Sequence, residues 1–155
     1  MREILFRGKT PSQDEYCDDV VWVEGFYTRF NGKEHRIYSG YAETDCGDYY
    51  PDWCNVRAET VGQYTELTDK NGKKIFEGDI ILFEDESPSN YEYHDCTEMR
   101  CGEVRFDDGK FYLTNRIAVE MGDLIYDGKL DGVIIGNIHD NPELLKGERK
   151  IKYEL

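Results

Sequence analysis

Val56–Phe83 reads V-R-A-E-T-V-G-Q-Y-T-E-L-T-D-K-N-G-K-K-I-F-E-G-D-I-I-L-F. Two turn signals divide it. Asp69-Lys70-Asn71-Gly72 puts a short carboxylate before Asn-Gly, a pairing that suits a hairpin turn. Glu77-Gly78-Asp79 makes a second turn, which feeds Ile80–Phe83. That apolar run is short enough for a strand and apolar enough to be buried on both faces. Nothing in the stretch repeats with the 3.6-residue period of an amphipathic helix. It reads as strand, turn, brief strand, turn, buried strand.

The pattern extends in both directions. Upstream, Arg2–Arg7 predicts a short strand, and Pro11, Ser12 and Asp14 punctuate a loop over Lys9–Asp19. Val20–Phe30, V-V-W-V-E-G-F-Y-T-R-F, is rich in β-branched and aromatic residues and runs into Asn31-Gly32, a strong hairpin signal. His35–Tyr38 continues as its partner. Gly40–Asn55 is acidic and contains Pro51, and predicts a surface loop folded over an apolar patch.

Downstream, Glu84–Arg100 carries six acids and Pro88 with little to anchor it, and predicts a long loop. Cys101–Phe106 and Lys110–Leu113 form a third hairpin about Asp107-Asp108-Gly109. Asn115–Ile125 supports a strand or a short helix. Leu130–Ile138 is an apolar strand. Asn141-Pro142-Glu143-Leu144-Leu145 reads as one helical turn, Asn141 its N-cap and Pro142 its first residue. The expected fold is all-β, a small barrel or sandwich with loop excursions. Its parts are a single domain over 1–145 (N-terminal strands and hairpin 1–61, barrel-like core 62–145) and a charged tail over 146–155.

Composition narrows the function. The 155 residues carry 19 Lys and Arg against 33 Asp and Glu, a formal charge of −14. Phosphate backbones would be repelled, so direct nucleic-acid binding is not expected. Aromatics at 14% argue against a disordered acidic chain, because rings supply the buried area that offsets chain entropy. The longest apolar runs are four residues, Val20–Val23 and Ile80–Phe83, so no membrane helix or secretory core is expected. The expected compartment is a reducing bacterial cytoplasm.

The five cysteines, Cys17, Cys46, Cys54, Cys96 and Cys101, are odd in number and do not suggest a disulfide framework. Cys46, Cys54 and His94-x-Cys96-x4-Cys101 offer ligands suitable for zinc. Their spacing is poor for the knuckle that aims two sulfurs at one ion, so free thiols are expected and no metal or other cofactor is assigned.

At this point the motifs resemble a known family. Thr60-Val61-Gly62-Gln63-Tyr64-Thr65, leading through Asp69–Lys73 to Ile75-Phe76-Glu77-Gly78-Asp79-Ile80, looks like the signature of the YopX proteins of phages and prophages. Arg2-Glu3-Ile4 with Phe6-Arg7-Gly8 fits the same family's opening, and Ile135-Gly136-Asn137-Ile138 with Asn141–Leu145 fits its close. Two departures stand out. Glu66 occupies a position usually held by Gly, and His139-Asp140 replaces an aromatic followed by an acid. The resemblance implies an SH3-like barrel core and a phage or prophage setting. It brings no catalytic residues.

Candidate binding residues are Gln63, Tyr64, Thr65, Asp69, Glu77 and Asp79. The first four offer amide, phenol, hydroxyl and carboxylate, yet turn chemistry also accounts for these residue types. Glu77 and Asp79 could hold Mg²⁺ or act as acid and base, but a turn into a strand uses the same residues. Tyr49, Tyr50 and Trp53 are the residue types that interfaces favour. The expectation is a non-enzymatic accessory protein acting through protein–protein contacts or self-assembly, with a homo-oligomer or a host protein as partner. One alternative is an acidic DNA mimic that inhibits a host DNA-binding protein. Another is a ligand-binding or metal-dependent enzyme built on Glu77 and Asp79.

Overall fold

The computed structural model describes residues 3–12, 19–85, 98–115 and 117–146. The side chains of 49–51, 85, 98 and 117 are outside that description. The chain is strand-dominated and all-β, in several antiparallel sheets. It forms two compact units, Met1–Glu66 and Leu67–Leu155.

The first unit holds β1 (Phe6–Lys9), β2 (Trp22–Phe30), β3 (Glu34–Glu43), β4 (Tyr49–Asn55) and the start of β5 (Gly62–Thr68), in the order β4-β3-β2-β1-β5. β2 changes partner partway along. Trp22–Gly25 pair with β1, and Phe26–Phe30 pair with β3. Gly25 stands at the changeover, where a Cβ would fall 2.0 Å from the Tyr38 carbonyl oxygen. Only glycine lets the two backbones approach this closely. Asn31 and Gly32 both take positive φ (50° and 68°) at the centre of a turn closed by the Lys33 N–H on the Phe30 carbonyl (3.1 Å), and strand pairing resumes at Phe30↔Glu34.

Gly40–Asn55 is not the loop expected from its acids. β3 continues to Glu43, and β4 returns along it in register from Glu43↔Tyr49 to Arg36↔Asn55. The strand-forming aromatics outweigh the acids. Pro51 is tolerated because β4 is an edge strand, where a missing N–H disrupts no second ladder. A register shift between Tyr38 and Gly40 bends the ribbon.

Little of this unit is closed off from water by apolar packing. Among its described residues the buried hydrophobic ones are Ile37, Val56 and Tyr64. Buried threonines join its segments instead. Thr10 Oγ1 accepts the Val21 N–H (2.9 Å), while its hydroxyl donates to the Asp19 carbonyl (3.1 Å). Thr60 Oγ1 accepts the Lys9 N–H (2.8 Å), and its hydroxyl donates to the Arg57 carbonyl (2.7 Å). The second of these interactions steadies the 3₁₀ turn Ala58–Thr60.

The second unit is built differently. β5 runs past Glu66 into it and turns through Asp69–Gly72 to β6 (Lys74–Phe76). β7 (Asp79–Asp85), β8 (Glu98–Asp107), β9 (Lys110–Asn115), β10 (Ile117–Glu120) and β13 (Gly132–Asn137) form a five-stranded sheet in the order β10-β9-β8-β7-β13. β11 (Ile125–Tyr126) and β12 (Lys129–Leu130) make a small hairpin. One apolar cluster fills the unit: Ile75, Ile81, Phe83, Val104, Leu113, Met121 and Leu130 are all nearly inaccessible. The buried strand expected at Ile80–Phe83 is present.

The sheet is not closed into a barrel, which corrects the SH3-like barrel expectation. β10 and β13 remain its edges. Closure requires a continuous ladder between the two end strands. Here the edge of β13 receives turn contacts instead: the Lys70 N–H donates to the Gly132 carbonyl (3.1 Å), and the Ile134 N–H donates to Asp69 Oδ2 (3.2 Å). Hairpin signals report local pairing and say nothing about whether the last strand finds the first.

Both readings of Asn115–Ile125 are realised, as β10 followed by a 3₁₀ turn, Met121–Leu124. The C-terminal turn, Pro142–Leu145, is 3₁₀. Asn141 sits at its N-cap position, yet its side chain does not cap. Its Oδ1 accepts the Asn137 N–H at 3.4 Å, holding the turn to the end of β13. The acidic segment expected as a loop over 84–100 is bounded by β7 and β8, and its residues 86–97 lie outside the described ones, as does the tail from 147. Among the described residues no helix is long and apolar enough to cross a membrane.

Candidate functional site

The sequence-level candidates fall into three groups. Gln63 and Tyr64 are adjacent on β5 and therefore point to opposite faces. Tyr64 and Thr65 are buried, Gln63 half-buried, and the Tyr64 N–H donates to the Leu5 carbonyl (2.8 Å). These residues do not assemble one polar surface.

Asp69 is 1% exposed. Its Oδ1 accepts the N–H groups of Asn71 and Lys73, both at 2.9 Å, and its Oδ2 accepts that of Ile134. A carboxylate surrounded by backbone donors is well stabilised where it is and has little left for a ligand. Asp79, also 1% exposed, accepts the Phe76 N–H through Oδ2 at 2.8 Å and closes the Glu77-Gly78 turn. Gly78 takes φ 88° there. Glu77 is half-buried. Buried Asp79 and half-buried Glu77 do not present two open carboxylates to a metal or substrate.

The thiols show no convergence either. Cys46 is exposed, while Cys54 and Cys101 are half-buried. Burial pushes the Cys101 thiol up, away from the thiolate a nucleophile needs. Among the described residues no three His, Cys, Asp or Glu side chains are grouped to hold a metal ion. Cys17, His94 and Cys96 lie outside the described residues.

The third group leads further. The backbone of Tyr49 and Tyr50 pairs with Glu43 and Ala42, and their side chains are not among those described. Trp53 pairs with Tyr38, which pairs with Phe26. Directly paired residues share a face. Extended by strand alternation, this face of β2–β3–β4 carries Phe26, Thr28, Phe30, Glu34, Arg36, Tyr38 and Trp53.

Arg36 organises it. Its Cζ lies 3.8 Å from the ring centroid of Phe30 and 3.8 Å from that of Trp53, so two rings flank one guanidinium. Arg36 Nη2 and Nε both donate to Glu34 Oε2, at 2.5 and 3.1 Å. Its side chain is only 13% exposed, on a face that otherwise meets water. Desolvation works against the charge, but the bonds to Glu34 and Tyr38 more than offset it and hold the guanidinium pKa above its ordinary value. Phe26 on the same face is 71% exposed. Exposed rings beside a held arginine form the residue set that dominates protein interfaces.

Sequence reasoning reached Trp53 and missed Phe26, Phe30, Glu34 and Arg36. The signal was present in Val20–Phe30. Read with period two, Glu24, Phe26, Thr28 and Phe30 form one face that mixes polar groups with large rings. A core-facing strand does not show that mixture.

Comparison with known proteins agrees with the sequence motifs. No functionally curated protein matches the chain. Among solved structures, protein EF1440 from Enterococcus faecalis is similar at 24% identity and a TM-score of 0.46, over 92% of this chain and 98% of that one. The sequence profile described as YopX protein matches residues 6–146, from the first residue of β1 to the residue after the last 3₁₀ turn. The chain belongs to the YopX family.

Proposed function

We propose that this is a phage or prophage accessory protein that works without catalysis, through contact with another protein or with itself. Its contact surface is the aromatic face of β2–β3–β4. One observation carries the reading: Arg36 is held between Phe30 and Trp53 and pinned by Glu34 on a face where Phe26 stands largely in water. Large rings left outside a core have a packing value that only a partner realises. A preset arginine also loses less side-chain freedom on binding than a mobile one.

The enzymatic alternative is disfavoured by the enclosure of Asp79. The DNA-mimic alternative draws on the charge of −14, which a contact surface for a basic partner uses equally well.

The test is the double substitution Phe30→Ala with Trp53→Ala. Sedimentation velocity and native mass spectrometry report self-assembly, and capture from host lysate reports a foreign partner. Loss of a defined oligomer, or of a specific captured protein, is the expected result. If both assays are unchanged while the variant stays folded, this face is not the contact surface.

A further inference from the structure

The same face shows what it is chemically built to receive. The unit pairs cations with rings repeatedly. Arg7 and Lys9 lie over Trp22, with Cζ 4.7 Å and Nζ 5.9 Å from the ring centroid, and Arg36 lies between Phe30 and Trp53. By strand alternation Trp22, Glu24, Phe26, Thr28 and Phe30 occupy one side of β2. The first and last rings of that row carry cations from the chain itself. The middle ring, Phe26, carries none. No ion pair or ring contact among the described residues involves Phe26 or Glu24. Arg7, opposite Glu24 in the ladder, is stacked on Trp22.

Phe26 and Glu24 therefore offer one ring and one carboxylate, part of the set of two rings and a carboxylate that holds Arg36. An aromatic face attracts a cation through its quadrupole, and arginine adds flat stacking and two-pronged pairing with a carboxylate. The chain's charge of −14 steers a positive partner toward it and repels a second copy of itself. We infer that Phe26 and Glu24 seat an arginine presented by a basic protein segment. The inference rests on the contact-face reading above and identifies the class of partner.

The experiment uses the full chain and short Gly/Ser peptides that differ only in carrying arginine, lysine, leucine or glutamate. Binding is followed by calorimetry at low salt. The arginine peptide should bind about fivefold more tightly than its lysine counterpart. Phe26→Leu and Glu24→Gln should each abolish that margin, and about 0.5 M NaCl should weaken binding further. Both positions are exposed, so unchanged thermal melting will confirm that the variants are folded. A leucine preference that Phe26→Leu removes would overturn the arginine assignment and leave the contact face standing. Equal binding of all four peptides, unaltered by either substitution, would also overturn it. The contact face itself would fall only if the Phe30/Trp53 double variant also kept its assembly and its captured partner.

Discussion

The two units are made from the same kinds of residue, and only one of them gathers its apolar side chains into a large buried cluster. In Leu67–Leu155 Ile75, Ile81, Phe83, Val104, Leu113, Met121 and Leu130 form one closed cluster, while Phe106, Ile125 and Tyr126 stay exposed at its surface. In Met1–Glu66 only Ile37, Val56 and Tyr64 are buried among the described hydrophobic residues, while Phe26 and Tyr41 are 71% and 76% exposed. Buried threonines and cation–ring stacks hold strands that the second unit would hold with aliphatic packing. A strand can thus be rich in aromatics for two reasons. One is folding, and the other is display. The difference teaches where to look for function: on the unit whose rings were not needed for its core.

Substitutions can break that contrast, and the largest effects should lie in the second unit. Ile81 is completely buried in its cluster. Ile81→Ala should cost about 3–4 kcal/mol, the transfer energy of the lost methyl and methylene groups plus the cavity left behind. Urea unfolding will measure it. A cost below about 1 kcal/mol would mean that this cluster is no better packed than the first unit.

Asp69→Ala comes next, at about 3 kcal/mol. It leaves the N–H groups of Asn71, Lys73 and Ile134 without their acceptor, and unsatisfied buried donors are expensive. Asp69→Asn keeps the side chain's shape and one acceptor oxygen, and should cost less than half as much. If the alanine variant melts like the parent, then Asp69 is not the organiser of its turn and becomes available again as a ligand-binding group.

This residue also shows how far the sequence could be read. Asp69-Lys70-Asn71-Gly72 announced a turn, and turn chemistry accounts for Oδ1, which stays within four residues. Nothing local could announce Oδ2, which reaches across 65 positions to Ile134. The other hairpins follow the same rule. Asn31-Gly32 and Asp108-Gly109 take the positive φ values their types permit. Asp127-Gly128 does so too (51° and 73°), a fourth turn of the same type that joins the two-residue strands β11 and β12. What stayed hidden was non-local. β4 was masked by acids and Pro51, the unclosed sheet depends on strands distant in sequence, and the clasp on Arg36 needs three strands in register.

Glu66 offers a smaller test of the same point. Its φ of 67° puts the backbone in the left-handed region that glycine adopts most readily. A side chain in that region costs on the order of 1–2 kcal/mol, part of which glycine returns as unfolded-state entropy. Glu66→Gly should therefore stabilise the protein by about 0.5–1 kcal/mol in thermal or urea melts. Destabilisation would mean that the Glu66 side chain makes contacts worth more than the strain.

The smallest effect is the most telling. Phe26→Ala should change stability by less than about 0.5 kcal/mol, because a ring this exposed buries little area on folding. Loss of an equally large side chain from the cluster of the second unit, Phe83, should cost about 3–5 kcal/mol. The two substitutions delete the same atoms, so the difference measures what each ring does for its unit. If Phe26→Ala proves as costly as Phe83→Ala, the ring belongs to the folding of β2–β3–β4, and its exposure offers no argument for a partner. If it is silent in the melt and still weakens binding to the arginine peptide, the ring's energetic role lies outside the chain, in the complex it forms.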